Sequence, residues 1–461
     1  MTGDVEIDET STMLIQPGAT VRVAANQDDQ HSGADTTLVE LVVNGGELTV
    51  AGLPTDPAGI LSAGDDPEPG DWQGIRLLDD SIGRLSHCDL RHAFIGVDAV
   101  HPDTLVVQDC AFSDIDVKGL RCDGDNGTSE IGLLRNVVKE TQVGIELHGC
   151  SAVVVGDSIT DCESHCMKIY QDYGSTIESD TLSAPPWSQS VFSGIFVQAS
   201  RESLRIANNI IEVSGTGIQY ELSWYSDEGC IEGNQITGLE SGACPKGMSF
   251  YDGRPLVRGN VISGNLYAAY WIDGWAGARP ELGEALPDTS CASCSDTTRP
   301  GCNSVPAGTD PKYYVRVIPS FPNTVKAECN WWEDAEVNEK KFLGPVDWDP
   351  PLSSDPAGRG ESPEGSACDV RFALFQNRPN PFNPSTMIRF GIPGKTRVQL
   401  RVYDCTGRRV RTLVDGPKEP GWHEVIWNGR NDAGLQVASG VYFCRLEAGG
   451  SRALRKLVVL K

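Results

Sequence analysis

The sequence predicts an all-β protein: a right-handed parallel β-helix solenoid followed by a small β-sandwich. A loose repeat of roughly 22–29 residues runs from Leu85 to Trp275, which is a solenoid period. Inside each repeat apolar and polar residues alternate, and helical periodicity is scarce along a chain with 50 Gly and 28 Pro. Repeats of this kind bury their apolar faces by stacking on one another.

The first fixed point of the repeat is an apolar residue, two spacers, a polar or small residue, one spacer and another apolar residue. The clearest copies are Ile206–Ile211, Ile231–Ile236 and Val257–Ile262. The polar position is Asn209, Asn234 and Asn260 in these copies, and weaker copies place other residues there: Asn136, Asp157, Asp180, Cys88 and Cys110. We expect this Asn to accept left-handed backbone geometry and to hydrogen-bond its neighbours along the stack.

The second fixed point is a Gly followed by an aliphatic residue, which we expect to form a sharp corner. It occurs at Gly96, Gly119, Gly144, Gly194, Gly217 and Gly247, with Cys166 and Ala269 in two further repeats. Alternation follows each corner, as where Ile145 and Leu147 flank Glu146, and predicts short strands with one buried face. Strands this short leave no room for helices, so the spacing favours a parallel β-helix over a leucine-rich horseshoe.

Segments at both ends of the solenoid resemble a known family. Ile15–Gly18, Val43–Leu48 and Gly70–Ile75 are similar to the entry coils of bacterial β-helix repeat proteins of the pectin-lyase-like superfamily. Asn330–Trp332 followed by Gly344–Trp348 resembles their closing segment, although Glu333 stands where those proteins usually have Gly. The resemblance covers residues 12–355 and implies the fold far more strongly than any function.

Two coils carry insertions, Ser183–Ser193 and Gly238–Lys246, on the same predicted edge. Such loops either form the walls of a groove or reflect neutral variation in loop length.

The chain after the solenoid divides into a linker, residues 356–369, and a separate domain, residues 370–461. Short strands separated by turn residues predict a small β-sandwich there. The predicted strands are Val398–Tyr403, Val410–Leu413, Glu424–Trp427, Val441–Leu446 and Arg455–Leu460.

The sequence motifs of this last domain are specific. Asn380–Thr386, Val402–Asp404, Trp427–Gly429 and Ala438–Tyr442 closely resemble the Ig-like C-terminal sorting domain of type IX secretion cargo, which is related to the Ig-like module of flagellar hook-capping proteins. The resemblance implies the type IX secretion machinery as a partner of residues 370–461, and a secreted or outer-surface location. It also implies a signal peptide, whereas Met1–Glu9 is acidic and lacks an apolar segment, so we expect a truncated or trimmed N-terminus.

The formal net charge of −26 argues against nucleic acid or an anionic membrane as a partner. It is compatible with calcium, although no cofactor is indicated. No apolar run reaches 18 residues, so the sequence predicts no transmembrane helix.

The 15 cysteines show no single metal pattern, and we predict no metal site. Cys88 and Cys110 occupy equivalent positions on adjacent coils, which favours a stack of buried thiols over a disulfide. Cys162 and Cys166 flank His165, but Cys166 falls at an inward corner, which disfavours a shared metal. A second cluster favours a disulfide over structural zinc: Cys291, Cys294, Cys302 and Cys329.

The alternation after each Gly corner also places side chains on the outside of the solenoid. We call this set the outward strip: Asp98, Arg121, Asp123, Glu146, His148, Lys168, Tyr170, Phe196, Gln198, Gln219, Glu221, Ser249, Tyr251, Trp271 and Asp273. Aromatic faces stack on sugar rings, while carboxylates and amides bind hydroxyls, so the strip suits an extended polysaccharide. The predicted ligand-binding residues are Glu146, Tyr170, Glu221, Tyr251, Trp271 and Asp273, and Trp224, Tyr225 and Trp275 lie just beyond them.

A catalytic interpretation needs a base and a charge partner. Candidate bases are Glu146, His148 and Lys168, with Asp123, Glu221 and Asp273 as candidate partners. The paired Asp and Gly-His-Gly of polygalacturonases, the Trp-x-Asp-His of pectate lyases and the Asp-Pro-His-Glu of alginate epimerases are absent. The sequence therefore favours a noncatalytic passenger that binds extracellular glycan or has a structural or adhesive role. The alternative is a polysaccharide lyase or glycoside hydrolase acting on the strip.

Overall fold

The structure is a computed structural model with two compact units, Met1–Pro363 and Glu364–Lys461. It describes residues 1–26, 28, 37–124, 127–183, 193–200, 204–221, 229–239, 245–251, 253–264, 266–273, 280–283, 300–306, 309, 311–318, 324–333, 337–349, 351–352, 373–374, 382, 386–392, 395–404, 408–418, 421–432 and 435–459.

The first unit is built from three parallel sheets, and each coil passes through them in the order I, II, III, which confirms the predicted right-handed parallel β-helix. Sheet I has ten strands: Thr12–Ile15, Glu47–Ala51, Ile82–Ser86, Thr104–Gln108, Glu130–Leu134, Ala152–Val155, Thr176–Glu178, Arg205–Ala207, Cys230–Glu232 and Leu256–Arg258.

Sheet II follows the Asn position of each coil. Its strands are Thr20–Val23, Ala58–Ser62, Cys88–Arg91, Ala111–Ser113, the first parts of Val137–His148 and Ser158–Tyr170, Thr181–Ser183, Ile210–Val213, Gln235–Gly238, Val261–Gly264, Ser304–Val305 and Trp331–Trp332.

Sheet III contains the repeating Gly. The prediction of a sharp corner there was wrong, because the Gly is the second residue of strands such as Ile95–Val100, Lys118–Asp123 and Thr216–Glu221. The strands of sheet III are Val5–Ile7, Glu40–Val43, Gly74–Leu77, Ile95–Val100, Lys118–Asp123, the second parts of Val137–His148 and Ser158–Tyr170, Ser193–Gln198, Thr216–Glu221, Lys246–Phe250, Ala268–Ile272, Tyr313–Val317 and Phe342–Leu343. Val5–Ile7 pairs with Glu40–Val43, so strand pairing begins before residue 12. A two-stranded pair, Val325–Lys326 with Val346–Asp347, and a 3₁₀ helix, Glu339–Lys341, complete the described elements of this unit.

In-register pairing stacks the inward side chains into ladders, which form one continuous core. On sheet III the paired residues Leu120, Ile145 and Met167 form one buried ladder. Glu146, the next residue after Ile145 in its strand, points outward. The prediction that each of these strands has one buried face is therefore confirmed.

The Asn position forms a buried hydrogen-bond ladder along the stack, as predicted. The backbone N–H and side-chain Nδ2 of Asn209 donate to Oδ1 of Asn234, at 3.0 and 2.9 Å, and Nδ2 also donates to the carbonyl of Ile177 at 3.2 Å. The expected left-handed geometry lies one residue earlier, because Asn208 has φ 57° and Gly233 has φ 63°. The ladder side chains thus point inward, and the preceding residue makes the turn.

Glycine is required at the repeating position of sheet III for space and not for a turn or a positive φ. A Cβ on Gly119 would lie 2.4 Å from Cγ1 of Val138 and 2.7 Å from the carbonyl oxygen of Gly144. At this position the backbone of one coil packs closely against the next coil.

The cysteines separate into buried thiols and disulfides. Cys88 and Cys110 are free and buried, and the backbone N–H of Cys88 lies 3.4 Å from Sγ of Cys110, which confirms the predicted stack of thiols. Cys230, Cys302 and Cys329 are disulfide-bonded, in line with the preference for a disulfide over zinc. Cys291 and Cys294 lie outside the described residues.

The closing segment packs three aromatic rings together. The buried ring of Trp332 stacks on Tyr314, with ring centroids 5.5 Å apart, and meets Phe342 edge-on at 5.3 Å. Glu333 has φ 60°, which explains the family preference for Gly at this position. Its Oε2 accepts hydrogen bonds from the hydroxyl of Tyr314 at 2.6 Å and from Nζ of Lys341 at 2.7 Å, which hold the left-handed turn in place.

The second unit consists of two antiparallel sheets, as predicted for a small sandwich. One contains Ala373–Leu374, Thr386–Ile392 and Gly421–Trp427, and the other contains Arg409–Lys418, Thr396–Asp404, Gly440–Ala448 and Ser451–Val459. Their inner faces share a core that includes Phe390, Leu400, Trp427 and Leu446. The predicted linker, residues 356–369, lies outside the described residues.

Candidate functional site

The outward strip is brought together on sheet III as two columns, with neighbouring coils about 4.8 Å apart. The strand register gives the first column as Asp98, Arg121, Glu146, Lys168, Phe196, Gln219, Ser249 and Trp271. The second column contains Asp123, His148, Tyr170, Gln198 and Glu221, and backbone hydrogen bonds of 2.8 Å from Tyr251 to Tyr220 and from Asp273 to Phe250 continue it. Ser249 is buried, but most of the other side chains are half-buried.

The first coils of the strip hold a network of paired charges. Nη1 of Arg121 donates to Oδ1 of Asp98 at 2.7 Å, and Nη2 donates to Oδ2 of Asp123 at 3.3 Å. Nζ of Lys118 donates to Oε1 of Glu146 at 2.7 Å. Because these charges compensate one another, Glu146 is an ion-pair partner in this structure and not an open acceptor.

His148 is held by a carboxylate. Its Nδ1 lies 2.9 Å from Oδ1 of Asp123, and 40% of its side chain is exposed. When Asp123 accepts the Nδ1 proton, Nε2 carries the lone pair and can accept a proton from a ligand. This Asp–His pair has the geometry of an oriented general base.

Lys168 and His165 lie in a partly desolvated part of the strip. Burial lowers the pKa of Lys168, whereas neighbouring Glu146 raises it and Lys118 lowers it. Burial lowers the pKa of His165 to about 4, and Lys168 contributes to the same direction, so His165 is neutral at pH 7. Its Nδ1 is buried without a hydrogen-bond partner. His165 was missed as a strip residue because the strip was predicted from the alternation after the repeating Gly position, which Cys166 fills in this coil, and His165 precedes it.

The middle of the strip is an aromatic platform formed by Tyr170, Phe196 and His165. Tyr170 and Phe196 meet edge-on with ring centroids 5.9 Å apart, and His165 meets Phe196 at 5.6 Å. Burial raises the pKa of Tyr170, and Glu146 and Glu221 add to this effect, so its hydroxyl stays protonated at neutral pH. Phe196 was placed on the strip by its alternation but was not among the predicted ligand-binding residues.

Polar groups continue the second column beyond the platform. Nε2 of Gln219 donates to Oε1 of Glu221 at 2.6 Å, which orients that carboxylate. Burial raises the pKa of Tyr251, Ser249 lowers it, and Asp273 and Glu221 raise it further. Oδ1 of Asp273 is buried without a hydrogen-bond partner. The structure therefore places Glu221, Tyr251 and Asp273 on successive coils of the second column, so that two carboxylates lie on either side of the Tyr251 hydroxyl.

Trp271 is enclosed by cations from both neighbouring coils. Cζ of Arg316 lies 4.0 Å from the centroid of the indole ring, and Nζ of Lys246 lies 4.2 Å from it. The ring face expected to stack on a sugar is thus occupied within the protein, while the indole N–H has no hydrogen-bond partner. Trp224, Tyr225, Trp275 and most of the two coil insertions lie outside the described residues.

Two family models match parts of the chain. Residues 129–277 match the periplasmic copper-binding protein (NosD) family, and residues 390–451 match the FlgD Ig-like domain. These matches agree with the pectin-lyase-like resemblance of the solenoid and the Ig-like resemblance of the C-terminal domain. No curated protein matches the chain.

Solved structures also match, at low similarity. Dimeric latent PorU from Porphyromonas gingivalis is 21% identical, and the match covers 19% of this chain and 9% of that chain, with a TM-score of 0.17. A tailspike protein mutant of E. coli bacteriophage HK620 in complex with a pentasaccharide is 12% identical over 97% of this chain and 86% of that chain, with a TM-score of 0.39. A double mutant of the same tailspike gives the same identity and coverage, with a TM-score of 0.40.

The name of the matched NosD family refers to copper. Within the part of the chain that the structure describes, no three His, Cys, Asp or Glu side chains are grouped to hold a metal ion. Cys162 and Cys166 are fully buried, and burial raises the pKa of Cys166 well above its usual value, so that thiol stays protonated. None of the described helices is long and apolar enough to cross a membrane.

Proposed function

We propose that this protein binds an extended extracellular polysaccharide along the outward strip and does so without altering it chemically. The observation that carries the proposal is the aromatic platform: the rings of Tyr170 and Phe196 face outward in the centre of sheet III and remain half-exposed. An apolar ring on a charged surface favours a partner that covers it.

Polar side chains beside the platform suit the hydroxyl groups of a sugar. Gln198 and Glu221 lie next to it in the second column, and their side chains can bind hydroxyl groups while the rings contact the apolar face of the sugar. Because adjacent coils lie ~4.8 Å apart and each presents outward side chains on sheet III, a linear chain meets polar contacts on both sides of the platform.

Affinity electrophoresis of the full chain through gels containing neutral or acidic polysaccharides, with and without calcium, tests the proposal. Complete burial of a Phe side chain contributes about 1.5–3 kcal/mol. Because the ring of Phe196 is already partly buried, covering the rest contributes about 1–2 kcal/mol, so Phe196→Ala should weaken retention roughly five- to thirty-fold. The control is Ile210→Ala, which removes an apolar side chain that is 44% exposed on sheet II. Equal retention of both variants, or no retention of wild type across the panel, refutes glycan binding by the strip and leaves a structural or adhesive role.

A second candidate function is a polysaccharide lyase or glycoside hydrolase, favoured by the His148–Asp123 pair. In that case His148 removes or delivers a proton through Nε2, and Lys168 or Arg121 stabilises the developing negative charge. Release of unsaturated or reducing ends that is lost in both His148→Gln and Asp123→Asn would establish the enzyme and replace the binding proposal.

For localisation, we propose export of the protein to the outer surface or the medium by the type IX machinery, through residues 370–461. The proposal is supported by the resemblance of that segment to sorting domains and by the FlgD Ig-like match to residues 390–451. In a bacterium with type IX secretion, the full chain behind a signal peptide should reach the surface or medium. A chain ending at residue 363 should stay in the periplasm, and equal export of both would contradict the assignment.

A further inference from the structure

We infer that the end of sheet III binds an acidic group of the polysaccharide, a carboxylate or a sulfate ester, through a cluster of cations and aromatic rings. This inference rests on the proposed function and assigns the ligand its charge. The cluster consists of Lys246, Tyr267, Trp271, Lys312, Tyr313 and Arg316.

The cluster continues the first column of the strip. Arg316 pairs in register with Trp271 on the preceding coil, and Trp271 pairs with Ser249 before it. Four coil spacings separate Phe196 from Arg316, which is roughly 19 Å at ~4.8 Å per coil. A polysaccharide that covers the platform and follows the column therefore reaches the cluster.

The rings hold the guanidinium of Arg316 in place. Its Cζ lies 4.0 Å from the ring centroid of Trp271 and 5.7 Å from those of Tyr267 and Tyr313, and Nη1 donates to the hydroxyl of Tyr267 at 3.2 Å. Nζ of Lys312 lies 4.9 Å from the ring centroid of Tyr267. Cation–π contacts of this kind orient a cation but leave its charge uncompensated.

The charge balance distinguishes this end of the sheet from its beginning. Arg76, Lys118 and Arg121 each have a carboxylate oxygen at 2.7 Å. By contrast, among the described residues, no carboxylate lies within 4.0 Å of Lys312 or Arg316. Two cations without a carboxylate partner in the described part of the chain therefore lie over the same ring, that of Tyr267.

The free donors define the chemistry of the partner. Arg316 has five N–H donors, of which Nη1 donates to the hydroxyl of Tyr267, and its side chain is partly exposed. A guanidinium fixed on aromatic rings favours a planar or multidentate oxyanion, because it loses little side-chain entropy on binding. Carboxylates and sulfate esters share this property, and a neutral sugar does not.

The test compares retention of the full chain by a neutral, a uronic-acid-rich and a sulfated polysaccharide at low and high salt. Wild type should bind at least one acidic polymer about tenfold or more tightly than the neutral one, and the difference should fall with salt. Arg316→Gln should remove most of that preference and leave binding to the neutral polymer unchanged. The matched control is Arg135→Gln, which removes the same charge from an exposed position in the turn after Glu130–Leu134 of sheet I.

Lys312→Gln provides a second variant whose folding is secure, since Lys312 is exposed. It should reduce the acidic preference about threefold. Equal binding of neutral and acidic polymers, unaffected by either variant, refutes the acidic-group assignment while leaving the proposed function intact. Absence of binding to every polymer refutes both. The uronic-acid and sulfate arms decide which oxyanion the cluster takes.

Discussion

Replacing Asp157 and Asp180 by Asn should stabilise the β-helix above neutral pH. Both aspartates occupy the ladder position that Asn fills in other coils, and both are buried, at 1% and 0% exposure. Oδ1 of Asp157 accepts from the N–H and Nδ2 of Asn136, and Oδ1 of Asp180 accepts from the N–H of Asp157 at 2.7 Å. One oxygen of each carboxyl thus reproduces the acceptor of an Asn.

The second oxygen of each carboxyl does not reproduce the donor. Nδ2 of Asn136 donates to the carbonyl of Val107 at 3.0 Å, whereas Oδ2 of Asp157 and Oδ2 of Asp180 are buried without a partner. A carboxylate at this position has no donor to satisfy that oxygen, whereas a neutral carboxylic acid can donate as the amide does.

The pKa values follow from this environment. Burial raises the pKa of Asp157 to about 7, against hydrogen bonds from Asn136 that lower it. Burial raises the pKa of Asp180 to about 8, and Asp157 adds to the increase. Since one pKa unit corresponds to about 1.4 kcal/mol, the elevation at Asp157 from 3.8 to about 7 corresponds to roughly 4 kcal/mol.

Stability changes with pH in the direction expected for an acid whose pKa is higher in the folded state than in the unfolded state. Between about pH 4 and pH 8 the folded chain binds more protons than the unfolded chain, so its stability falls as pH rises through that window. Below pH 4 both states are protonated and the stabilisation is complete. An Asn at either position removes the dependence, because an amide stays neutral throughout.

Guanidinium denaturation at pH 5, 7 and 9 measures the effect. The wild-type free energy of unfolding should decrease by several kcal/mol over this range, and the double variant Asp157→Asn with Asp180→Asn should lose most of that decrease. Asp109→Asn is the control, since hydrogen bonds from Arg135 lower the pKa of this exposed carboxyl. Parallel pH profiles for wild type and the double variant would show that the buried carboxyls do not titrate as described.

Three further predictions concern the packing of the solenoid. Gly119→Ala should lower the melting temperature, at a cost of about 1–3 kcal/mol, because its Cβ would overlap Val138, and an unchanged melting temperature would show that the two coils can move apart there. The thiol of Cys88 should resist maleimide until the protein is denatured, because its contact with Cys110 and its burial raise its pKa, and rapid labelling of the native protein would contradict the buried stack. Trp332→Ala should cost about 3–5 kcal/mol in chemical denaturation by opening the closing coil, and a loss below 1 kcal/mol would mean that this coil does not contribute to the cooperative unit.

The sequence predicted the members of the outward strip because parallel, in-register strands preserve a period of two from coil to coil. Glu146, Lys168 and Phe196 therefore lie side by side although they are more than twenty residues apart in the chain. The local alternation of apolar and polar residues, together with one repeating Gly position, is sufficient to predict which side chains point outward. His165 was missed because it precedes Cys166, and only the alternation after that position was used to predict the strip.

The environment of each side chain depends on contacts that alternation does not encode. The outward direction of Trp271 followed from its strand, but the cations that cover it come from Lys246 on the preceding coil and Arg316 on the following one. Likewise, the repeat identified the Asn ladder, but Asn208, Gly233 and Ser179 all take the left-handed turn before it, and these share no side-chain chemistry. Function depends on such contacts, which explains why the fold was predictable from the sequence and the site chemistry was not.

Hydroxyl-radical labelling of the full chain, with and without the best-retained polysaccharide, tests glycan binding by the strip most directly. Bound polysaccharide should protect Tyr170, Phe196 and Tyr251, which face outward on sheet III, and leave Leu14 and Val153, exposed on sheet I, labelled as before. Protection on sheet I, or equal labelling at Tyr170 and Phe196 with saturating polysaccharide, would contradict the account.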